Sequence, residues 1–395
     1  MPTDAASTEP SPRWPPSAFT AALVATLVGF GGTIALIVRM GQSLGASPPQ
    51  ITSSVTALCL GIGLGGAWLS LRLRMPVVLA WSTPGAALLA GGALPGGYAT
   101  ALAAFAVAAA LMMLLGLVPA LGRLAARMPT TLANAMLAGV LLPFCLALFR
   151  GVQQELWLAL PALLVFIALR QRAPTYALLG ALFVVVAMVL VRGGGGALPD
   201  RFTFGQLRAT TPAFDASALI GAGVPLFLVT LASQNLPGFA VLRGAGYDLP
   251  TRPALLVTGL VSLLLAPFGA HSVNLAAITA AICTGSDAHP DAAQRWRVAL
   301  IYAALYGLLA LFSAPLVALF MALPPTAVAT IAGLALLAPL SGALLGMLGD
   351  AAEREAALLC FVATASGLML FGIGAAFWGL LIGFAALGAR RLLAR

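Results

Sequence analysis

The chain has 395 residues, of which 61% are hydrophobic and 8% are charged, whereas roughly 25% of the residues in a soluble globular domain are charged. A soluble fold of this length could not bury so much apolar surface, and about 20 apolar residues are enough for one helix to cross a membrane. The composition therefore excludes a soluble domain and indicates a polytopic membrane protein.

The formal net charge of +9 comes from arginine alone, since the chain contains no lysine. The arginines stand singly or in pairs at the ends of apolar stretches and never form a basic run. That distribution is typical of membrane topology signals and gives no support to a nucleic-acid partner. The four cysteines lack the spacing of metal ligands, so we expect neither a metal site nor a disulfide framework.

Apolar stretches separated by Gly, Pro and Arg predict fourteen membrane segments behind a disordered cytoplasmic tail, 1–16. A polar external linker, 192–216, divides them into two sets of seven, and we expect a surface helix within it. The segments are predicted at 17–38, 51–70, 75–91, 98–122, 130–150, 155–170, 174–191, 217–240, 252–268, 271–285, 297–320, 325–346, 354–371 and 373–392.

With the N-terminus inside, fifteen arginines fall on the cytoplasmic side and five fall outside. The external five are Arg39, Arg150, Arg192, Arg201 and Arg208. Cytoplasmic loops carry an excess of positive charge, so this bias predicts a bacterial-type inner-membrane protein with both termini in the cytoplasm.

Two short sequences recur at about half the chain length. Met128-Pro-Thr-Thr-Leu-Ala-Asn is similar to Pro324-Pro-Thr-Ala-Val-Ala-Thr, at an offset of 325 − 129 = 196, and Gly41-Gln-Ser-Leu is similar to Ser233-Gln-Asn-Leu, at 192. Seven segments in each half would place the halves in opposite orientations, which is the inverted repeat of secondary transporters. The alternative is a chance similarity between helices rich in Ala, Leu and Gly.

The third and tenth segments differ from the others. Each begins near a proline, at Pro76 or Pro267, continues into a polar cluster and ends as a helix too short to span. Interrupted segments at matching places in two halves indicate a binding site at the membrane midplane. Half-helices, or short strands leading into them, would offer free N–H groups to an anion there.

Polar residues near these breaks are the candidate substrate-binding residues. His271 has an ordinary pKa of about 6.5 and is the candidate proton carrier, although a neutral histidine bonded to a backbone carbonyl would also explain it. Amides on the eighth segment contact substrate or lock helices together, and hydroxyls on the third contact substrate or cap its half-helix. Asn274 is expected one helical turn beyond His271, whereas His289 is expected in a solvated loop. The candidates are Gln42, Ser82, Thr83, Gln234, Asn235, His271, Ser272 and Asn274.

Three blocks of sequence resemble a known family. Ser233-Gln-Asn-Leu-Pro-Gly, the stretch Pro267 to Gly285, and Ala288-His-Pro look like signature blocks of the benzoate:proton symporter (BenE) family. More distantly, the layout is similar to the uracil permease-like fold. The resemblance implies a core domain, 17–128 with 217–322, moving against a gate domain, 129–191 with 323–395.

In uracil permease-like proteins, carboxylates on the eighth and tenth segments hold the substrate. Gln234 and His271 stand at the matching positions, and the absence of both carboxylates suits an anionic substrate that they would repel.

We therefore expect proton-coupled import of a small aromatic carboxylate such as benzoate, with membrane lipid as surroundings and no cofactor beyond the coupling proton. A homodimer is left open. The alternatives are a nucleobase or inorganic-anion carrier of the same fold, or a passive anion channel. No constellation of carboxylate, metal-ligand or Ser/His residues within the segments suggests an enzyme.

Overall fold

The computed structural model describes residues 14–91, 94, 96–118, 129–192, 203–371 and 373–393, which form an almost entirely helical protein. In chain order the elements are α1 (Pro16–Ser43), α2 (Pro48–Leu73), β1 (Leu79–Trp81), α3 (Thr83–Gly91), α4 (Gly97–Leu117), α5 (Thr130–Gln154), α6 (Leu156–Arg172), α7 (Pro174–Val191), α8 (Ala216–Gly244), α9 (Thr251–Phe268), β2 (Val273–Leu275), α10 (Ile278–Thr284), α11 (Ala292–Leu311), α12 (Ser313–Ala322), α13 (Pro325–Met347), α14 (Arg354–Ala365) and α15 (Ala375–Leu393).

Among the described residues, eight helices are long and apolar enough to cross a membrane, or nine if the bent pair α11 and α12 counts as one. Every predicted segment coincides with one or more of these elements. The segment predicted at 297–320 is wrong as a continuous helix, because the chain bends by 66° where α11 meets α12. The N-terminal tail before Trp14 and the arginines Arg123, Arg127, Arg201 and Arg395 lie outside the described residues.

The two halves repeat at a nearly constant offset. β1 and β2 are separated by 273 − 79 = 194 residues, and α5 and α13 by 325 − 130 = 195. The strands pair antiparallel, with Leu79 opposite Leu275 and Trp81 opposite Val273. Because each strand leads directly into a short helix, α3 and α10 run away from the strand pair in opposite directions. This arrangement confirms the interrupted third and tenth segments.

Glycines allow the long helices to approach closely. A Cβ on Gly333 of α13 would lie 2.8 Å from Leu148 Cβ and 2.9 Å from the Phe144 backbone oxygen of α5. A Cβ on Gly63 of α2 would lie 2.9 Å from the Ala303 oxygen of α11. Small residues are typical of helix contacts in membranes, where backbone proximity and dispersion provide the attraction. The boundaries of the core and gate domains stay a prediction.

The described part of the linker, 203–215, contains no helix, so the expected surface helix is wrong for these residues. The segment lies against α4, α9 and α11 without regular secondary structure. The N–H groups of Gly205, Thr210 and Ala213 donate to the oxygens of Leu311, Pro267 and Ala99 at 2.7, 2.9 and 3.0 Å. Leu311 ends α11, where carbonyls lack intrahelical partners. Because these three N–H groups donate to other elements, they are not available for the hydrogen bonds of a linker helix.

His289 is buried, so its prediction as a solvated residue is wrong. Its Nδ1 accepts from the Asp291 N–H at 3.1 Å, and its carbonyl accepts from Arg295 Nε at 2.9 Å. The residue therefore orders the turn between α10 and α11.

Candidate functional site

The strand pair is joined to α3 through Ser82 and His271. Ser82 Oγ accepts from the Gly85 N–H at 2.9 Å, which is the capping bond considered as the alternative to substrate contact. His271 Nε2 lies 3.0 Å from the Ser82 backbone oxygen. Because a carbonyl only accepts, Nε2 carries the hydrogen. The buried Nδ1 has no partner among the described residues. His271 thus makes the carbonyl bond expected of a neutral structural histidine, with one ring nitrogen left over.

Asn235 and Asn274 form a buried amide network that fixes α8 to β2. Asn235 Oδ1 accepts from the Leu275 N–H at 3.0 Å, and Asn235 Nδ2 donates to Asn274 Oδ1 at 3.2 Å. Asn274 Nδ2 then donates to Ser272 Oγ at 3.0 Å. The expected helical turn between His271 and Asn274 is wrong, because this stretch is extended and contains β2. These hydrogen bonds fix the backbone at the point where the tenth segment is interrupted.

A cavity of about 490 Å³, the central cavity, lies in front of the strand pair. Its lining comes from α1, β1, α3, α8, α10 and α11, together with α5, α7 and α13. Of the predicted residues, Gln234 and Thr83 line it. Gln42 is not brought to it, since that side chain is exposed in the last turn of α1. The remaining candidates lie buried outside its lining: Ser82, Asn235, His271, Ser272 and Asn274.

Two π-helical turns present residues to the central cavity. One, Leu27–Gly31, interrupts α1, and the other, Leu231–Asn235, interrupts α8. The second turn directs Gln234 into the cavity while the adjacent Asn235 bonds to β2. Such turns are frequent at functional sites. They have no sequence signature, so the similarity of the short sequences around Gln42 and Gln234 gave no sign that only Gln234 reaches the cavity.

Aromatic side chains form one wall of the central cavity. Trp81 Nε1 donates to Thr33 Oγ1 at 2.7 Å, which fixes the indole. The Trp81 ring centroid lies 5.5 Å from that of Phe30 and 6.2 Å from that of Tyr306, which it meets edge-on. Tyr306 is in turn 4.7 Å from Tyr302. Sequence reasoning missed this wall because aromatic residues in apolar segments give no signal of their direction. Packed rings of this kind offer a rigid surface to another ring.

The polar groups of the central cavity are neutral. Thr279, in the first turn of α10, adds a hydroxyl to the lining. The first backbone hydrogen bond of α10 joins the Ala281 N–H to the Ala277 oxygen. The N–H groups of 278–280 come before it and have no acceptor within the helix. Asn134 and Ser233 add further unpredicted polar groups, although Asn134 ends the repeated motif. None of the described lining residues is charged.

Comparisons with known proteins extend over nearly the whole chain. A profile of the family described as "Benzoate membrane transport protein" (BenE) matches residues 13–389. "Inner membrane protein YdcO" of Escherichia coli (strain K12) is 41% identical over 371 residues, covering 93% of this chain and 94% of that protein. The "Benzoate membrane transport protein" of Acinetobacter baylyi (strain ATCC 33305 / BD413 / ADP1) is 32% identical over 373 residues, covering 94% and 95%.

Solved structures give more distant matches. The transmembrane domain of the cyanobacterial bicarbonate transporter BicA matches with a TM-score of 0.61 at 15% identity, covering 94% of this chain and 96% of that one. SLC26A9 matches with a TM-score of 0.63 at 13% identity, covering 95% and 65%. At these identities the likeness bears on the fold alone, and the fold is that of a helical transporter domain with the uracil permease-like plan.

Proposed function

Because this chain belongs to the BenE family of benzoate membrane transport proteins, we propose that it imports benzoate, or a similar small aromatic carboxylate, by proton symport. Family membership makes it a multi-pass inner-membrane transporter and not an enzyme. The substrate, the coupling proton and alternating access are the proposed parts.

The observation that best supports this substrate is the mixed lining of the central cavity, which combines aromatic rings with neutral polar groups. Trp81 and Tyr306 offer ring surface, and Gln234, Thr83 and Thr279 offer neutral polar groups. An aromatic carboxylate is a flat ring with one acceptor group, so it complements both kinds of lining residue. A nucleobase would need acceptors for its N–H groups, and none of the described lining residues is a carboxylate. A small inorganic anion would make no use of the aromatic wall.

Proton coupling is assigned to His271 for a geometric reason. Its Nε2 hydrogen is already directed at the Ser82 oxygen, so an incoming proton would add at Nδ1. The resulting imidazolium would stand directly behind the start of α3 and reinforce the positive end of that helix dipole. Anion and proton would then each favour binding of the other, as linkage requires. The higher pH of the cytoplasm would release both.

Alternating access is assigned to the boundary that contains the central cavity. The cavity is lined both by predicted core elements, which supply most of the polar groups, and by α5, α7 and α13 of the predicted gate. Movement of one group past the other would expose the same cavity to each side of the membrane in turn, as in other carriers built from inverted repeats.

Uptake of labelled benzoate into proteoliposomes, with and without an inward proton gradient, tests the proposal. Because neutral benzoic acid crosses lipid unaided, protein-free liposomes under the same gradient measure the background. We expect gradient-driven accumulation well above that background, with competition by substituted benzoates and none by uracil or sulfate. Competition by uracil or sulfate would favour the other carriers, and gradient-insensitive flux without accumulation would favour a passive channel.

A further inference from the structure

A second cavity, of about 380 Å³, contains the side chains of two arginines, Arg39 and Arg150. Both were assigned to the external side by the arginine distribution. We propose that this outer cavity is an anion-binding site that captures the substrate carboxylate before it reaches the central cavity. The identity of the anion rests on the proposed function, whereas the site itself rests on the charges and contacts around the cavity.

Arg39 lies at the boundary between the predicted core and gate. It belongs to α1 and is half-buried, and its Cζ stands 5.3 Å from the ring centroid of Phe144 on α5. Phe144 itself lines the outer cavity. A guanidinium over an aromatic face retains its in-plane N–H donors for an acceptor. The Arg39 side chain is therefore fixed from one side and available to an anion from the other.

The outer cavity has positive charge without a compensating negative charge. Neither Arg39 nor Arg150 has an ion pair or side-chain hydrogen bond within the described residues, and no described residue that lines the cavity is acidic. Most of the lining is apolar, including Leu89 and Val140. A partly buried, unpaired guanidinium in such surroundings favours an anionic partner, and a carboxylate fits its paired donors. The volume lies in the range of small-molecule sites.

The outer cavity follows the central cavity along the same two helices. On α3, Pro84 lines the central cavity and Ala87 lines the outer one, three residues further along. On α5, Leu137 lines the central cavity and Gly139 the outer one. The two sites are thus successive along one boundary, with the outer site displaced toward the side predicted to be external. A carboxylate held at Arg39 would lie on the approach to the central cavity.

Sided transport kinetics test this assignment with Arg39→Gln, Arg150→Gln and the control Arg192→Gln. Arg192 was also predicted to be external, but its Cζ lies 4.1 Å from the Trp157 ring centroid and it lines neither cavity. In right-side-out vesicles, Arg39→Gln should raise the half-saturating benzoate concentration about tenfold, and the more exposed Arg150→Gln about threefold. Maximal rates should stay within about twofold. In inside-out vesicles, the half-saturating concentration should not change, and Arg39→Lys should recover part of the loss.

An equal effect from both faces, or an Arg39→Gln result equal to that of Arg192→Gln, would overturn the outer site. Should the wild-type protein transport no benzoate, the proposed function fails, and the outer site is then judged by thermal stabilisation of the purified protein. Ligand binding raises the unfolding temperature. A benzoate-induced rise that shrinks in Arg39→Gln supports the site. A rise unchanged in that variant, or no rise in the wild type, overturns it.

Discussion

The ring of His271 and the backbone of Ser82 meet across the strand pair, with Nε2 3.0 Å from the carbonyl oxygen. The two residues are 189 positions apart in the sequence and belong to opposite repeats. Because Ser82 also caps α3 through the Gly85 N–H, this single contact connects a titratable group to a helix start beside the central cavity.

His271→Gln should separate the two roles of this contact. The glutamine amide can still donate to the Ser82 oxygen but cannot take up a proton. We expect normal benzoate counterflow without a gradient and loss of gradient-driven accumulation. His289→Gln is the matched control, since it replaces the other histidine of the chain, in the turn after α10. Accumulation by His271→Gln at the wild-type level would remove His271 from the coupling role.

The same variant gives a prediction for pH dependence. If a protonated His271 favours the anion as proposed, wild-type affinity for benzoate should rise as the pH falls through the titration of this histidine. One linked proton limits the change to about tenfold per pH unit. His271→Gln should flatten this profile. Equilibrium binding, measured over the pH range in which the purified protein stays folded, provides the comparison, and equal slopes in both proteins would contradict the linkage.

Gln234→Glu should weaken benzoate binding far more than Gln234→Ala. Alanine removes at most one neutral hydrogen bond, worth about 0.5–1.5 kcal/mol, which is roughly threefold to tenfold in affinity. Glutamate adds a like charge to a cavity whose described lining has none, and like charges repel strongly where water is scarce. We expect at least a hundredfold loss with glutamate at neutral pH, measured by competition binding. Equal losses in the two variants would mean that the carboxylate binds away from Gln234.

Asn235→Leu should lower the stability of the folded protein. It should not remove a side chain that lines the central cavity. The substitution leaves the Leu275 N–H and the Asn274 side-chain oxygen without their Asn235 partners. Each unpartnered buried group costs about 1–3 kcal/mol, so the unfolding temperature should fall by several degrees. Gln234→Ala, one residue earlier on the same π-helical turn, is the control and should unfold near the wild-type temperature. A stable Asn235→Leu protein that cannot bind benzoate would instead assign Asn235 to the substrate.

Tyr306→Leu should reduce the preference for an aromatic ring. An aromatic pair contributes about 0.5–1.5 kcal/mol beyond its buried area, so the ratio of benzoate to cyclohexanecarboxylate affinity should fall about twofold to tenfold. Tyr306→Phe keeps the ring beside Trp81 and should keep the ratio. Uptake competition with the two carboxylates measures it. A ratio unaffected by leucine would place the substrate ring against another part of the lining.

Particular residues show how far the sequence could specify this site. Proline and polar residues at matching places predicted the breaks before α3 and α10, because a helix cannot continue through such stretches without lost backbone bonds. The direction of individual side chains was not accessible. Gln234 and Asn235 are neighbours with the same amide chemistry, yet a π-helical turn sends one to the cavity and the other to β2.

The missed residues share a physical reason. Thr279 and Tyr306 lie within apolar runs, where a hydroxyl gives no sign of whether it meets a carbonyl, a lipid or a cavity. Arg39 was interpreted only as a topology signal, since its place over Phe144 depends on the packing of two helices distant in sequence. Tertiary contacts decide these roles, and a single sequence does not encode them in a local pattern.

Cross-linking α1 to α7 should arrest transport if the predicted core moves past the gate. A Cβ built on Gly32 would meet Leu178 Cδ2 and lie 3.2 Å from Leu178 Cγ, so Gly32→Cys with Leu178→Cys replaces a crowded contact by two nearby thiols. The four native cysteines are all buried, which keeps background oxidation low. Oxidation should stop benzoate counterflow in the double variant, and reduction should restore it. The two single variants should be insensitive to oxidant.

Counterflow is the decisive assay for this pair, because it requires the substrate site to face each side in turn but needs no proton gradient. Full cross-linking, verified by the loss of free thiols, with an unchanged counterflow rate would show that α1 and α7 stay together during the cycle. The moving boundary would then have to exclude α7, and the predicted gate domain would be reduced to α5 and the helices packed on it.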